Sequence, residues 1–409
     1  MWLALVALAM IGTLAYSVFW PRPIDLAERF QAGLDAVERG DWKTVRLCAH
    51  RLLQDDEHHA HAALLQAYEQ LALGQSEEAF VTFSKATSEP ETRELAYHEA
   101  ATILYEAGQF SQTILMCRQV LEWNSARTDS QRLLAAAYYD IGAMVSAINT
   151  LKVVAEQQPN DHRPHYMEAS ILHDFERFDD AVLAYEEAAK RVPQDSIAKD
   201  EILLGWGECL VQLRCHAEAL IAMEPASSGP EVDAQRAVAL FALRQLDTAL
   251  KAAESALTRR PHLPEAVAVA AQCYEHSGDV ERGIALLQEA ADLHPHEVEL
   301  HLRLADMLGA NGHLAAALDH RKKAATISEY RREFSNKQQA LVHNDDDANL
   351  RFEIAQLAER LGKIEIARSW LQAAVGMATA TDEIRSAWQQ FQERHPPARD
   401  PDSTIVRGS

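Results

Sequence analysis

Three histidines stand close together at His58-His59-Ala60-His61, beside Asp55, Asp56 and Glu57. Imidazole nitrogens ligate divalent metals well, but a working site also needs groups that hold the rings in place. A solvated turn accounts for the same residues without a metal. Cys209, Cys215 and His216 form a second group. There a thiolate site competes with ordinary core packing, since a free cysteine behaves as a small hydrophobe. Gly205-Trp206-Gly207 lacks the third glycine and the preceding strand of a phosphate loop, and Asp345 to Asp347 lack the spaced ligands of a calcium loop. No Gly-x-Ser-x-Gly, His-Glu-x-x-His or Walker-lysine pattern is found. Five cysteines at irregular spacing include no Cys-x-x-Cys pair, which removes zinc ribbons and thioredoxin-like sites. The expectation is a protein that is not an enzyme and uses no cofactor, no catalytic residue and no metal.

With 61 acidic and 39 basic side chains the chain carries a formal charge of -22. Such a surface repels the phosphate backbone, so no nucleic acid is expected as a partner. Hydrophobic residues make up 48%, enough to bury a core.

The elements that could position any site recur at a fixed interval. Pro159 and Pro193 lie 34 residues apart, as do Pro261 and Pro295. In phase with them run Phe178, Ala181, Tyr185 and Ala188; Leu246, Ala249, Ala253 and Ala256; Tyr274, Gly278, Gly283, Leu287 and Ala290; and Tyr138, Gly142, Ala147 and Leu151. Weaker copies are marked by Gly40, Gly74 and Gly108 before this stretch and by Gly312 and Gly362 after it. Small residues at fixed places are what two closely crossing helices require. Ala181 and Ala249 would sit at the crossing within a repeat, and Ala188 and Ala256 would face the next. Tyr138, Tyr185 and Tyr274 would fill the grooves. Gly142, Gly278 and Gly312 would permit the positive φ that ends a first helix. No repeat buries its apolar face alone, so stacking must supply the core.

This pattern resembles the tetratricopeptide-repeat (TPR) family. The resemblance implies an all-α fold, a TPR α-solenoid in which helix-turn-helix repeats form a right-handed superhelix. Residues 26–225 read as a first sub-array and 226–327 as a second. Arg214-Cys215-His216 stands where glycine is expected, and the Pro/Gly/Ser cluster from Glu224 to Pro230 breaks the spacing between the two. Residues 328–347 read as a charged helical extension or linker, with Asn344 to Asp347 capping the helix that starts near Ala348. Residues 348–395 read as a C-terminal TPR-like repeat with a capping helix from Asp382 to Arg394, whose Ile384, Trp388 and Phe391 share a face. Residues 396–409 read as a disordered tail.

Met1 to Trp20 carry no charged side chain. As a helix they would span roughly 28 Å, close to the hydrocarbon thickness of a bilayer. Trp2 at one end, and Tyr16, Phe19 and Trp20 at the other, suit the headgroup level. Residues 1–20 are therefore expected to be a transmembrane anchor, followed by a linker at 21–25 that Pro21 and Pro23 open. A cleaved signal after Ser17 is the alternative, giving a periplasmic or secreted protein, but no basic segment precedes the apolar run. Arg22, Arg29 and Arg39 follow the span, which favours a cytoplasmic repeat domain over a periplasmic one.

Anchor and repeats together resemble bacterial single-pass TPR proteins of the inner membrane that organise envelope assembly. One of these, a lipopolysaccharide-assembly regulator, ends in a cysteine-ligated metal domain that this sequence does not show. The resemblance implies a membrane-anchored scaffold or adaptor that binds protein or peptide partners and no small-molecule substrate. A non-catalytic subunit of an enzyme complex is a further alternative. By register, the partner-binding groove is expected to display Tyr68, His98, Tyr105, Arg132, Tyr139, Tyr166 and His173. Tyrosine offers broad contact area at low entropic cost. The Lys/Asn set by which chaperone-binding TPR domains hold a terminal carboxylate is not visible at the matching positions.

Overall fold

The computed structural model describes residues 26–54, 58–341 and 347–396, so the expected anchor, its linker and almost all of the tail lie outside the described residues. Among the described residues there are twenty-one helices and no strand. In chain order they are α1 Leu26–Glu38, α2 Trp42–Leu52, α3 His59–Ala72, α4 Ser76–Ala86, α5 Pro90–Glu106, α6 Phe110–Trp123, α7 Thr128–Asp140, α8 Met144–Gln157, α9 Arg163–Asp174, α10 Phe178–Arg191 and α11 Ala198–Gln212. They continue as α12 His216–Met223, α13 Pro230–Ala242, α14 Leu246–Arg259, α15 Pro264–Ser277, α16 Val280–Leu293, α17 Val298–Ala310, α18 Leu314–Leu341, α19 Ala348–Arg360, α20 Ile364–Val375 and α21 Asp382–Arg394. Odd-numbered helices up to α19 are the first helices of repeats and even-numbered ones the second. None of the described helices is long and apolar enough to cross a membrane.

The backbone carries the period as plainly as the side chains do. Gly40, Gly74, Gly108 and Gly142 all take positive φ between first and second helix, and Glu176 takes the same conformation 34 residues after Gly142. Arg214, Arg244, Gly278, Gly312 and Gly362 continue the series. Arg214 thus adopts the left-handed turn that glycine fills in neighbouring repeats (φ 62). The prolines at 159, 193, 261 and 295 each fall two residues beyond a second helix, where a helix cannot continue. Ala181, Ala188, Ala249 and Ala256 are fully buried, and Tyr138, Tyr185 and Tyr274 are buried beside them.

The chain forms two compact units. One holds the residues up to Ala107 with Gln112–Ser130; the other holds Gly108–Ser111 with everything from Gln131 onward. The first packs its core around Leu64, Phe83, Ala86 and Ala96, and a neighbouring cluster around Val45, Leu52 and Leu65.

In the second unit the Pro/Gly/Ser segment after α12 does not interrupt stacking: α11 packs on α13 across it. Buried Asp233 pins the segment. It accepts from Ser228 Oγ at 3.1 Å and Ser255 Oγ at 2.8 Å, and it pairs with Arg259. Arg236 donates to the carbonyls of Met223 (2.6 Å) and Ala226 (3.1 Å). The expected extension after residue 327 is the second half of α18, which runs 28 residues. Phe334 and Leu341 on that half join Ile354, Trp370, Leu371, Ile384 and Phe391 in a separate C-terminal cluster. Asp347 caps α19, accepting from the Leu350 N–H at 3.0 Å.

This C-terminal cluster returns to the turn between α7 and α8. Arg351, only 1% exposed, donates from Nε (3.0 Å) and Nη2 (2.6 Å) to the Ile141 carbonyl, 210 residues away in sequence. Trp370 and Leu341 lie against Gly142 so closely that a Cβ there would come within 2.3 Å of the indole. Glycine is needed at 142 both for its positive φ and for that approach.

Candidate functional site: the first-helix groove

The seven expected groove residues all lie on first helices: Tyr68 on α3, His98 and Tyr105 on α5, Arg132 and Tyr139 on α7, Tyr166 and His173 on α9. All are partly buried. In the first unit the Tyr68 hydroxyl donates to Glu99 at 3.1 Å, and its ring meets Phe83 edge-on at 5.4 Å. Burial, with the Glu99 carboxylate adding, holds the Tyr68 phenol well above its usual range. His98 Nδ1 lies 2.9 Å from Ser130 Oγ, and burial pushes its imidazole down to about 4. In the second unit Tyr139 donates to Asp174, and Tyr166 to Glu201 at 3.0 Å. Arg132 reaches Gln158 (3.2 Å) and Asp161 (3.3 Å). His173 packs between the rings of Phe178 (5.7 Å) and Tyr185 (6.4 Å).

A common geometry emerges. Tyr68, Tyr139 and Tyr166 each hand their polar tip to a carboxylate about one repeat further on. Side chains that join one repeat to the next in this way serve the stack first, and only the remaining faces of their rings are left for a partner. Tyr139 also lines a cavity of about 210 Å³ with Asp174, Phe334, Lys363 and Trp370, beside the returning C-terminal cluster. Of the histidine group, His61 contacts Glu91 at 2.9 Å and its ring lies 5.2 Å from that of His58; Asp55 to Glu57 lie outside the described residues.

A larger cavity, about 420 Å³, opens further along the second unit. Its lining comes only from the first helices α11, α13, α15 and α17. Val211, Val238, Phe241, Ala268 and Val269 supply apolar walls, with Gln235, Gln272, Glu265, Glu299 and Arg303 between them. One turn before Gln212 on α11, Glu208 shares that face of the helix. Burial pushes the Glu208 carboxyl up to about 7, and the Glu265 and Glu231 carboxylates add to the shift. Glu265 keeps contact with water, yet loss of solvent between neighbouring helices still holds it above the usual carboxylate range. Glu299 pairs with Arg303 at 2.6 Å.

Sequence reasoning missed this cavity because it followed the tyrosines of the earlier repeats. The available signal was a set of large apolar residues, Val211, Val238 and Phe241, on first helices outside the Ala/Gly packing positions.

Paired helices, left-handed turns 34 residues apart from Gly40 to Glu176 and again from Arg244 to Gly312, and a groove lined by first helices define an α-helical repeat protein. Family models described as "Tetratricopeptide repeat" match residues 104–171, and again 235–298 and 277–331, so the helix pairs over those residues are tetratricopeptide repeats. No curated protein sequence matches the chain. Among solved structures, Naa15/Naa10 bound to HypK is similar at 16% identity and a TM-score of 0.40, over 90% of this chain and 66% of that one. The human IFIT1 dimer with m7Gppp-AAAA is similar at 13% identity and a TM-score of 0.39, over 90% and 93%. The Pseudomonas aeruginosa pilF protein is similar at 15% identity and a TM-score of 0.42, over 51% and 94%.

Proposed function

We propose that the protein is a non-catalytic scaffold that docks a partner protein in the groove of α11, α13, α15 and α17. The observation that carries this reading is the 420 Å³ cavity whose lining comes solely from first helices and whose walls are apolar. Apolar surface of this kind, interrupted by a few polar groups, is what a protein segment needs for burial and orientation. Residues 1–20 supply the membrane attachment. Their uncharged, aromatic-ended run supports a retained anchor, Arg22, Arg29 and Arg39 after it favour the repeats on the cytoplasmic side, and confinement to a surface raises the effective concentration of membrane partners.

A photo-crosslinking residue placed at Val238 or Phe241 tests the groove, with the same residue at exposed Leu183 on second helix α10 as the control. The expected result is one partner protein crosslinked from both groove positions in native membranes and not from Leu183. Equal capture from Leu183, or none from the groove, would remove the assignment.

A further inference from the structure

The second helices of the first unit share an exposed feature that their packing does not use. Leu47 on α2, Val81 on α4 and Leu115 on α6 lie 34 residues apart, each five residues after its helix begins, and they are 50%, 56% and 66% exposed. A basic side chain follows each of them one turn on: Arg51, Lys85 and Arg118, all exposed. On α2 Lys43 also stands one turn before Leu47, and Trp42–Leu52 contains no Asp or Glu. Arg46 is engaged by Glu69, but Lys43, Arg51 and Lys85 form no ion pair among the described residues. The carboxylates on these three helices are Glu77 and Glu78 at the start of α4 and Glu122 near the end of α6, so α2 is the basic end of the row. In the second unit Leu183 and Ile221 occupy the same repeat position and are exposed, but Glu187 and Glu224 follow them.

We propose that this face of the first unit lies on the headgroups of an anionic bilayer leaflet, Leu47 dipping between the lipids with Lys43 and Arg51 against their phosphates, and Val81 with Lys85 and Leu115 with Arg118 continuing the contact. This rests on the reading of residues 1–20 as a membrane anchor. Five residues separate Trp20 from Leu26, and they reach at most about 18 Å. Some face of the first unit must therefore meet the headgroups. The chain as a whole carries a formal charge of -22 and is repelled by anionic lipid, which selects the basic face.

The size of the effect fits orientation rather than recruitment. Each Lys or Arg beside an anionic surface favours the docked state about fivefold, and the attraction fades beyond roughly 8 Å at physiological salt. A few cations and one leucine on α2 hold a free protein to lipid only weakly. A tethered unit already sits within that range, so the same contacts decide which way it faces. Docking through second helices leaves the first helices of the unit, which carry Tyr68 and His98, clear of the lipid.

The test uses the full-length protein reconstituted into vesicles of phosphatidylcholine, alone or with phosphatidylglycerol. A small fluorescent residue replaces Leu47, Val81 or Leu183, and a spin-labelled lipid is the quencher; flotation reports the anchor separately. The expected result is quenching of the Leu47 and Val81 probes with phosphatidylglycerol, little with phosphatidylcholine alone, and none of the Leu183 probe in either. Lys43→Gln with Arg51→Gln should lower the docked-to-free ratio of the Val81 probe about 25-fold. A control pair in the second unit, Lys251→Gln with Lys322→Gln, makes the same charge change and leaves that ratio unaltered. Equal quenching of the Leu183 probe, or equal loss in the control pair, would mean general adsorption and would overturn the proposal. A protein that floats with the vesicles while its Leu47 and Val81 probes stay unquenched would overturn it and leave the anchor intact. A Leu47 probe that becomes shielded in detergent as protein concentration rises would give the face to a second copy and overturn it too. A protein that does not float would remove the anchor and the proposal together.

Discussion

Glu176, Arg214 and Arg244 hold the left-handed turn conformation that glycine holds in the neighbouring repeats. A side chain pays roughly 1–2 kcal/mol there, part of which a glycine returns as unfolded-chain entropy. Arg244→Gly should therefore stabilise the second unit by about 0.5–1 kcal/mol, seen as a higher urea midpoint at unchanged slope; a lower midpoint would show that the arginine side chain contributes more than its backbone costs. The glycine positions themselves were legible in the sequence, because the residue type announces the conformation. Positive φ at His262 was not, since nothing in its type distinguishes it. His98 makes a pH-dependent prediction. Unfolded, it takes up a proton near 6.5; folded, only near 4, so the unfolded state binds the extra proton between those values. Stability of the first unit is complete above about 6.5 and falls as pH drops towards 4. Allowing for residual solvent, the loss between pH 7 and pH 5 should be about 1 kcal/mol. Urea titrations of the protein and of His98→Gln at both pH values would check this; the two should converge as pH falls, and parallel losses would assign the effect elsewhere.

At the scale of helices, the alanine positions do most to specify the stack. Ala181 meets its partner helix with no exposed surface, so Ala181→Leu should overpack the crossing and cost about 1–3 kcal/mol. An unchanged melting temperature would place the crossing at another residue. Helix boundaries near prolines and glycines, and the α21 span, could be read in advance because local chemistry sets them. The groove was harder. The tyrosines singled out are on the expected helices, but whether Tyr139 faces a partner or Asp174 depends on where the next repeat falls, and no local pattern encodes that. The path of the 224–230 segment was equally hidden. It depends on Asp233 receiving Ser228, Ser255 and Arg259, residues up to 31 positions apart.

For the molecule as a whole, the proposed anchor predicts that the full-length protein sediments with membranes and that removal of Met1 to Trp20 yields a soluble protein; a full-length form that does not sediment, or a truncated form that still does, would remove the proposal. The contact between Arg351 and Ile141 offers a second test. Arg351→Met keeps most of the volume but leaves the Ile141 carbonyl without those donors, a loss of about 1–3 kcal/mol. Amide exchange should quicken across α19 to α21 while total helicity by circular dichroism stays the same. Uniform protection in the variant would show that Trp370 and Leu341 hold that region unaided. The same contact limits how this protein can change over generations. An open array tolerates the gain or loss of a repeat, because each copy touches only its neighbours. Between Ile141 and Arg351 the count is tied to a clasp: a duplicated or deleted helix pair there would carry the arginine past its carbonyl, so this stretch should keep its length while the repeats before Gly108 are freer to vary.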